Sequence, residues 1–361
     1  MTESEPADSD CDQDRLNADL NVWARHPDHM AFIHGWQRDS QVARTRTQVL
    51  RNHGYGRKME YAGRQTLYER HGGGSYRTQH DQAQRWGQFA AWVKEQGVRD
   101  ARDVTPAHVA AYGCELVDQG YSAATCHNAA SAVNSVMNTL RDGAWDRVSP
   151  AEATGLSRSE VREVEPPSRD QAEAAIEALR DEQINRAASV AELAHELGVR
   201  MEEAAKADLD RLREEADRDP GPDQDRPAVN MQEGTKGGRD ADRWVPVSSA
   251  ADAAIDRALE ARPESSADSL IAAGETWQQF RDGELRDARD TLQEHGVTGY
   301  HDLRAAYACE RYEQEAGAAA PVIAGARGAS KTDDWRARDY IAYELGHNRA
   351  DVARSYVGSS K

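Results

Sequence analysis

The chain has 361 residues, a length that suits two or three domains rather than one. It carries 63 Asp+Glu against 45 Lys+Arg, a formal charge of −18, and only three Phe. With a mean hydropathy of −0.85 and no run near the ~20 apolar residues of a spanning helix, a membrane protein is excluded. The acidic opening Met1-Thr2-Glu3-Ser4-Glu5 is no secretory signal, so a cytoplasmic protein is expected. Cys11, Cys114, Cys126 and Cys309 are scattered without a Cys-x-x-Cys pair, which argues against a zinc cluster or redox couple; no metal and no cofactor are expected. Only six of the basic residues are Lys, and an acidic, lysine-poor surface suits a halophilic protein, soluble in concentrated salt. A GC-rich genome would bias the composition the same way.

Residues 1–20 carry Glu3, Glu5, Asp8, Asp10, Asp12, Asp14 and Asp19 against Arg15 alone and read as an acidic flexible tail. Residues 21–77 form an N-terminal basic region. From Arg38 to Arg85 ten Lys/Arg face four acids, a local excess suited to phosphate. His71-Gly72-Gly73-Gly74 near its end reads as a hinge. Residues 78–145 form a small helical domain. Trp86, Phe89, Ala90 and Val93 share a face before Gly97, and Thr105-Pro106 gives an N-cap with Pro at the first helical position. Val109, Tyr112, Leu116 and Val117 follow up to Gly120, and Cys126, Ala130, Val133, Val136, Met137 and Leu140 form a third stripe. Residues 146–167, ending in Pro166-Pro167, read as a linker. The remainder, 168–361, is mainly helical. Its exception is 226–248, where Ala228–Met231 and Arg243–Val247 flank a Gly-rich turn and predict an antiparallel hairpin.

This last region holds an ordered set of residues suited to phosphate chemistry. Leu197-Gly198-Val199-Arg200 is followed by Glu203. The hairpin turn contains Lys236 and Arg239, with Arg243 beyond it. Tyr300-His301-Asp302-Leu303-Arg304 opens a helix, and Glu344-Leu345-Gly346-His347 precedes Tyr356 by nine residues from the His. Two Arg forks can hold the non-bridging oxygens of a phosphodiester bidentately, where charge grows in the transition state. A Tyr hydroxyl, with an ordinary pKa of ~10, needs a proton acceptor or a cationic setting to act as a nucleophile. Glu203 suits an Arg-orienting partner. Arg239 and Arg243 could reach phosphate, although solvated hairpin charges are the plainer reading.

Over roughly residues 78–361 the sequence resembles the tyrosine recombinase (phage integrase) family. The matching pieces are its Gly-x-Arg-x-x-Glu box, hairpin Lys, His-x-x-Arg box, Leu-Gly-His box and the Tyr nine residues beyond. Asp103-Val104-Thr105-Pro106 and Gly120-Tyr121-Ser122-Ala123-Ala124-Thr125 look like its core-binding domain. The resemblance implies a mainly α fold with a small antiparallel β-sheet in the C-terminal domain, in a two-domain arrangement. It implies cleavage and rejoining of double-stranded DNA through a 3′-phosphotyrosine, without metal, by a homo-oligomer, a tetramer on DNA. Arg200 and Arg304 would clamp the phosphate, His301 would take the Tyr356 proton, His347 would donate to a non-bridging oxygen, and Lys236 would protonate the leaving 5′ oxygen. The alternatives are a type IB-like topoisomerase and a DNA-binding relative without activity.

Two departures stand out. Arg304 and His347 are 43 residues apart, longer than the family's usual spacing, and the surplus falls in 317–337, expected as a surface insertion. Within it Gly325–Thr332 approaches a phosphate-binding loop, but Ser330 stands where Gly should precede the Lys. Only five residues follow Tyr356, so a helix exchanged beyond it is not expected in the family's usual form. A mobile-element integrase is favoured modestly by the N-terminal extension.

Overall fold

The computed structural model of the chain describes residues 51–70, 76–220, 226–235, 243–347 and 349–360. The acidic tail, residues 21–50 of the basic region, the glycines at 72–74, and Lys236 and Arg239 lie outside the described residues. The chain divides into two compact units between Ser159 and Glu160. Both are mainly helical, and the second holds a two-stranded antiparallel sheet.

The first unit contains α1 (Met59–Arg70), α2 (Tyr76–Glu95), α3 (Pro106–Asp118), α4 (Ala123–Leu140) and the short α5 (Pro150–Thr154). Trp86, Phe89 and Val93 of α2, Val109 and Tyr112 of α3, and Cys126, Val133, Met137 and Leu140 of α4 share one core. Each large apolar side chain removed from water there contributes about 1.5–3 kcal/mol. α1 lies in the segment read only as a basic region, yet its Met59 and Leu67 are buried in that core, and the Trp86 indole N–H donates to the Met59 carbonyl at 3.1 Å. The segment expected as a linker contains α5, whose Ala153 is buried.

The second unit runs α6 (Arg169–Asp181), α7 (Asn185–Glu196), α8 (Met201–Lys206), α9 (Leu209–Ala216), β1 (Ala228–Asn230), β2 (Trp244–Pro246), α10 (Ser249–Ala261), α11 (Trp277–Asp282), α12 (Glu284–Glu294), α13 (Tyr300–Ala316), α14 (Pro321–Ala324), α15 (Lys331–Glu344) and α16 (Arg354–Val357). α7 is its axis. Ala187, Ala188, Ala191 and Ala194 are fully buried, and such small side chains let α6, α10 and α13 approach closely. The acids on α7 are paired rather than bare: Glu192 accepts from Arg180 and Arg257, and Glu196 accepts from Arg169 at 2.8 Å. The predicted hairpin forms with Val229 opposite Val245, both buried.

The 317–337 run is not a simple surface insertion. It supplies α14 and the first half of α15 and buries Ala320, Pro321, Asp334 and Ala337. Ser330 caps α15, its hydroxyl accepting from the Asp333 N–H at 3.1 Å, which accounts for the residue that spoils the phosphate-loop pattern. No helix among the described residues is long and apolar enough to cross a membrane.

Candidate active site

The site forms where chain reversals at Gly198 and Gly346 meet the head of α13. The first lies between α7 and α8. Gly198 adopts φ +60°, and a Cβ there would fall 2.3 Å from Tyr307 Cδ1 and 2.9 Å from Leu345 Cδ2. Only glycine both takes this left-handed conformation cheaply and admits those neighbours. The turn aims the Gly198 carbonyl at Arg304 Nη1, 2.5 Å away, and delivers Arg200 to the start of α8.

Glu203 is the hub. Its side chain is fully buried and accepts the Arg200 backbone N–H at 2.7 Å and Arg200 Nη1 at 2.6 Å. Arg243 Nη1 and Nη2 donate to the same carboxylate at 3.3 and 3.1 Å, and Arg304 Nη1 lies 3.6 Å from it. Burial alone would raise this carboxyl; Arg243, Arg200 and Arg304 outweigh it and hold it down at about 2. Arg243, expected as a solvated or phosphate-facing charge, is instead only 2% exposed. It reaches inward from the strand that follows the turn and packs on Gly346 (φ +66°), where a Cβ would stand 2.7 Å from Arg243 Nη1.

Arg304 is completely buried. Its Nη2 donates to the Leu345 carbonyl at 2.6 Å, so the Gly-x-Arg and Leu-Gly-His turns are tied through one guanidinium. Its Nε donates to the Tyr356 hydroxyl at 3.2 Å, and its Cζ lies 5.5 Å from that ring centre. Burial, and then the like charge of Arg200, lowers Arg304 to about 10, which leaves it a cation at neutral pH.

Both imidazoles flank the phenol. His347 Nε2 is 3.1 Å from the Tyr356 oxygen, and the His301 ring centre is 5.4 Å from the Tyr356 ring centre. The imidazole within hydrogen-bond reach of the phenol is therefore His347, while His301 stacks obliquely beside it. His347 is pushed down to about 4 by burial and then by Arg304, Arg200 and Arg243. His301 is open to solvent on one side; the protein packed on its other side, then Arg304 and Arg162, lower it too. Both rings are neutral at pH 7.

Tyr356 sits on α16, a single turn, and is 4% exposed. The segment beyond it is held within the same chain, since Arg338 Nη1 donates to the Gly358 carbonyl at 3.0 Å. Thus Arg200, Glu203, His301, Arg304, His347 and Tyr356 come together, with Arg243 behind them.

Comparison with known proteins bears on the family and the fold. A family model described as "Integrase" matches residues 159–310, and one described as "Phage integrase, N-terminal" matches 60–141. The Tn1549 transposon integrase, solved with transposon right-end DNA, is similar in fold at 12% identity and a TM-score of 0.54, over 83% of this chain and 95% of that one. A lambda integrase tetramer bound to a Holliday junction is similar at 14% identity and a TM-score of 0.51, over 82% and 75%. No curated protein sequence matches the chain. The fold is that of the two-domain integrases. The chain belongs to the tyrosine recombinase family, known also as the phage integrases.

Proposed function

We propose that the chain is a site-specific recombinase that cleaves and rejoins double-stranded DNA by metal-free transesterification, as a homo-oligomer. The observation that carries this reading is the Tyr356 hydroxyl, 3.2 Å from Arg304 Nε and 3.1 Å from His347 Nε2. The phenol oxygen would attack the phosphorus, forming the phosphotyrosine bond as the bond to the 5′ oxygen breaks. Arg200 and Arg304 would hold the non-bridging oxygens. A phosphate lying among them would draw the N–H of His347, and the phenol proton would pass to His301. The leaving oxygen would be protonated by Lys236, which lies outside the described residues. A second 5′-hydroxyl reverses the step, so the ester's free energy is conserved.

Arg57, Lys58, Arg64 and Arg77 in the described part of the basic run are exposed and support phosphate contact by the first unit. The lambda and Tn1549 structures contain DNA, and the lambda integrase is a tetramer in one, which supports the same partner and assembly here.

The test is a nicked DNA substrate that traps the covalent adduct, run in EDTA with the junction mapped to residue 356. Loss of the adduct in EDTA would reject metal-free chemistry. On that substrate Arg200→Lys should slow cleavage on the order of 10²-fold, because a point charge cannot replace a planar fork; near-normal turnover would reject the clamp. The acidic composition supports a concentrated-salt environment. Lowering salt from ~1 M to ~0.1 M lengthens the screening distance from about 3 to 10 Å and should lower Tm. An unchanged Tm across that range would count against a halophilic source.

A further inference from the structure

The turn that carries Tyr356 is too short to hold itself in place. α16 has four residues and follows directly on a 3-10 turn, Ala350–Ala353; so short a run gains few hydrogen bonds for the dihedrals it fixes. What touches it therefore sets where the phenol points. One residue touches both this turn and the head of α13. The Arg162 backbone N–H donates to the Arg354 carbonyl at 2.9 Å, two residues before Tyr356. The Arg162 guanidinium donates from Nη2 to Asp302 Oδ1 at 2.8 Å, and Asp302 lies between His301 and Arg304 on the first turn of α13. The pair is well covered, with 13% and 14% of the two side chains exposed.

The ends of this link are themselves fixed. Arg162 Nε donates to the Val164 carbonyl at 2.7 Å, which sets the fork. Asp302 also accepts from the Thr298 N–H at 3.2 Å and from the Thr298 hydroxyl, which pins it over the start of α13. Glu160 Oε2 accepts from Arg354 Nη2 at 3.0 Å, a second tie between the same two segments. Besides the burial of Tyr356 and Val357 and the contacts of Arg304 and His347 with the phenol oxygen, the turn is held by a Cys309 thiol 3.7 Å from the Tyr356 carbonyl, a weak donor, and by Arg338 at its far end.

We propose that Arg162 is a positioning residue that latches the Tyr356 turn to the head of α13, so that the phenol is held against His301 and Arg304 at attack distance. The proposal rests on the recombinase reading for its effect on cleavage, but not for its effect on the turn itself. A displacement near 1 Å at a reacting atom can cost on the order of 10²-fold.

The experiment compares full-length wild type, Arg162→Ala and Arg162→Lys. Hydrogen exchange of the backbone over 353–358 should accelerate at least about ten-fold in Arg162→Ala, while that of α7 stays unchanged. DNA affinity should hold within about two-fold, while the rate of covalent trapping falls about 30-fold. Arg162→Lys should recover part of that rate, since an ammonium can still reach Asp302. The pH profile supplies a readout that loss of packing would not move. His301 faces Arg304, Arg162 and Arg200 as cations, Asp302 as the opposing anion, and the Tyr356 ring. Removing one cation makes its protonation easier, so the acid limb of trapping should move to higher pH. Unchanged exchange at 353–358, or acceleration spread evenly over the unit, overturns the latch. So does a loss of rate with no movement of the limb and no recovery in Arg162→Lys. A wild type that forms no adduct would refute the recombinase reading alone, and exchange would still decide the latch.

Discussion

Tyr356→Phe is expected to abolish the covalent protein–DNA adduct, a fall of at least about 10⁴-fold in trapping, while DNA binding stays within about two-fold. The substitution removes one oxygen and keeps the ring, so the burial of Tyr356 and Val357 against the second unit's core is retained. What is lost is the hydroxyl that the proposed mechanism uses as its nucleophile. Arg304 Nε, which donates to that oxygen at 3.2 Å in a fully buried setting, is left without its acceptor. An unmade buried hydrogen bond of this kind costs about 1–3 kcal/mol, so a modest drop in Tm should accompany the loss of chemistry. An adduct of normal yield in the Phe variant would remove residue 356 from the mechanism.

Glu203→Gln should have the largest effect on stability. The amide keeps the shape and removes the anion that Arg200, Arg243 and Arg304 share, leaving three cations in a dry space. Removing one member of a buried ion set costs about 3–5 kcal/mol, and that loss is expected in urea unfolding at pH 7. The pH dependence gives the sign. Folding lowers this carboxyl from its ordinary 4.5 to about 2. A carboxyl lowered by folding stabilises the protein above its unfolded value and loses that contribution as pH falls through the folded one. The gap corresponds to ~3 kcal/mol, present above pH 4.5 and fading towards pH 2. Wild type should therefore approach the Gln variant in stability as the medium is acidified. Curves separated by less than about 0.5 kcal/mol at pH 7 would show that Glu203 is not the shared counter-charge.

Much of the site was legible because its residues sit in short local patterns whose spacing carries meaning. Gly198 with Arg200, His301 with Arg304, and Gly346 with His347 each belong to one turn or one helical face. The structure gives the glycines a reason that no local pattern reveals: each admits a side chain from a distant element, Tyr307 in one case and Arg243 in the other. Arg243 was the least legible member. A charged residue beside a Gly-rich turn reads as solvated, and its burial follows from Glu203, 40 residues earlier. The only local sign was its place at the head of a strand whose next alternate residue, Val245, is buried. Arg162 was less visible still, because its partner Asp302 is 140 residues away. In the first unit the apolar stripes of α2, α3 and α4 were plain, whereas α1 was hidden inside a segment whose composition reads as basic. Its inner face is fixed by Trp86, a tertiary partner that composition does not announce.

The convergence of Arg200, Arg243 and Arg304 on one carboxylate also bears on how such a site can change over time. A substitution at any one of the four alters the electrostatic setting of the other three, so their effects are epistatic rather than independent. Drift at position 243, which does not touch Tyr356, would reach Arg200 and Arg304 through Glu203. The quartet is therefore easy to lose in a single step and hard to remodel except by paired replacements.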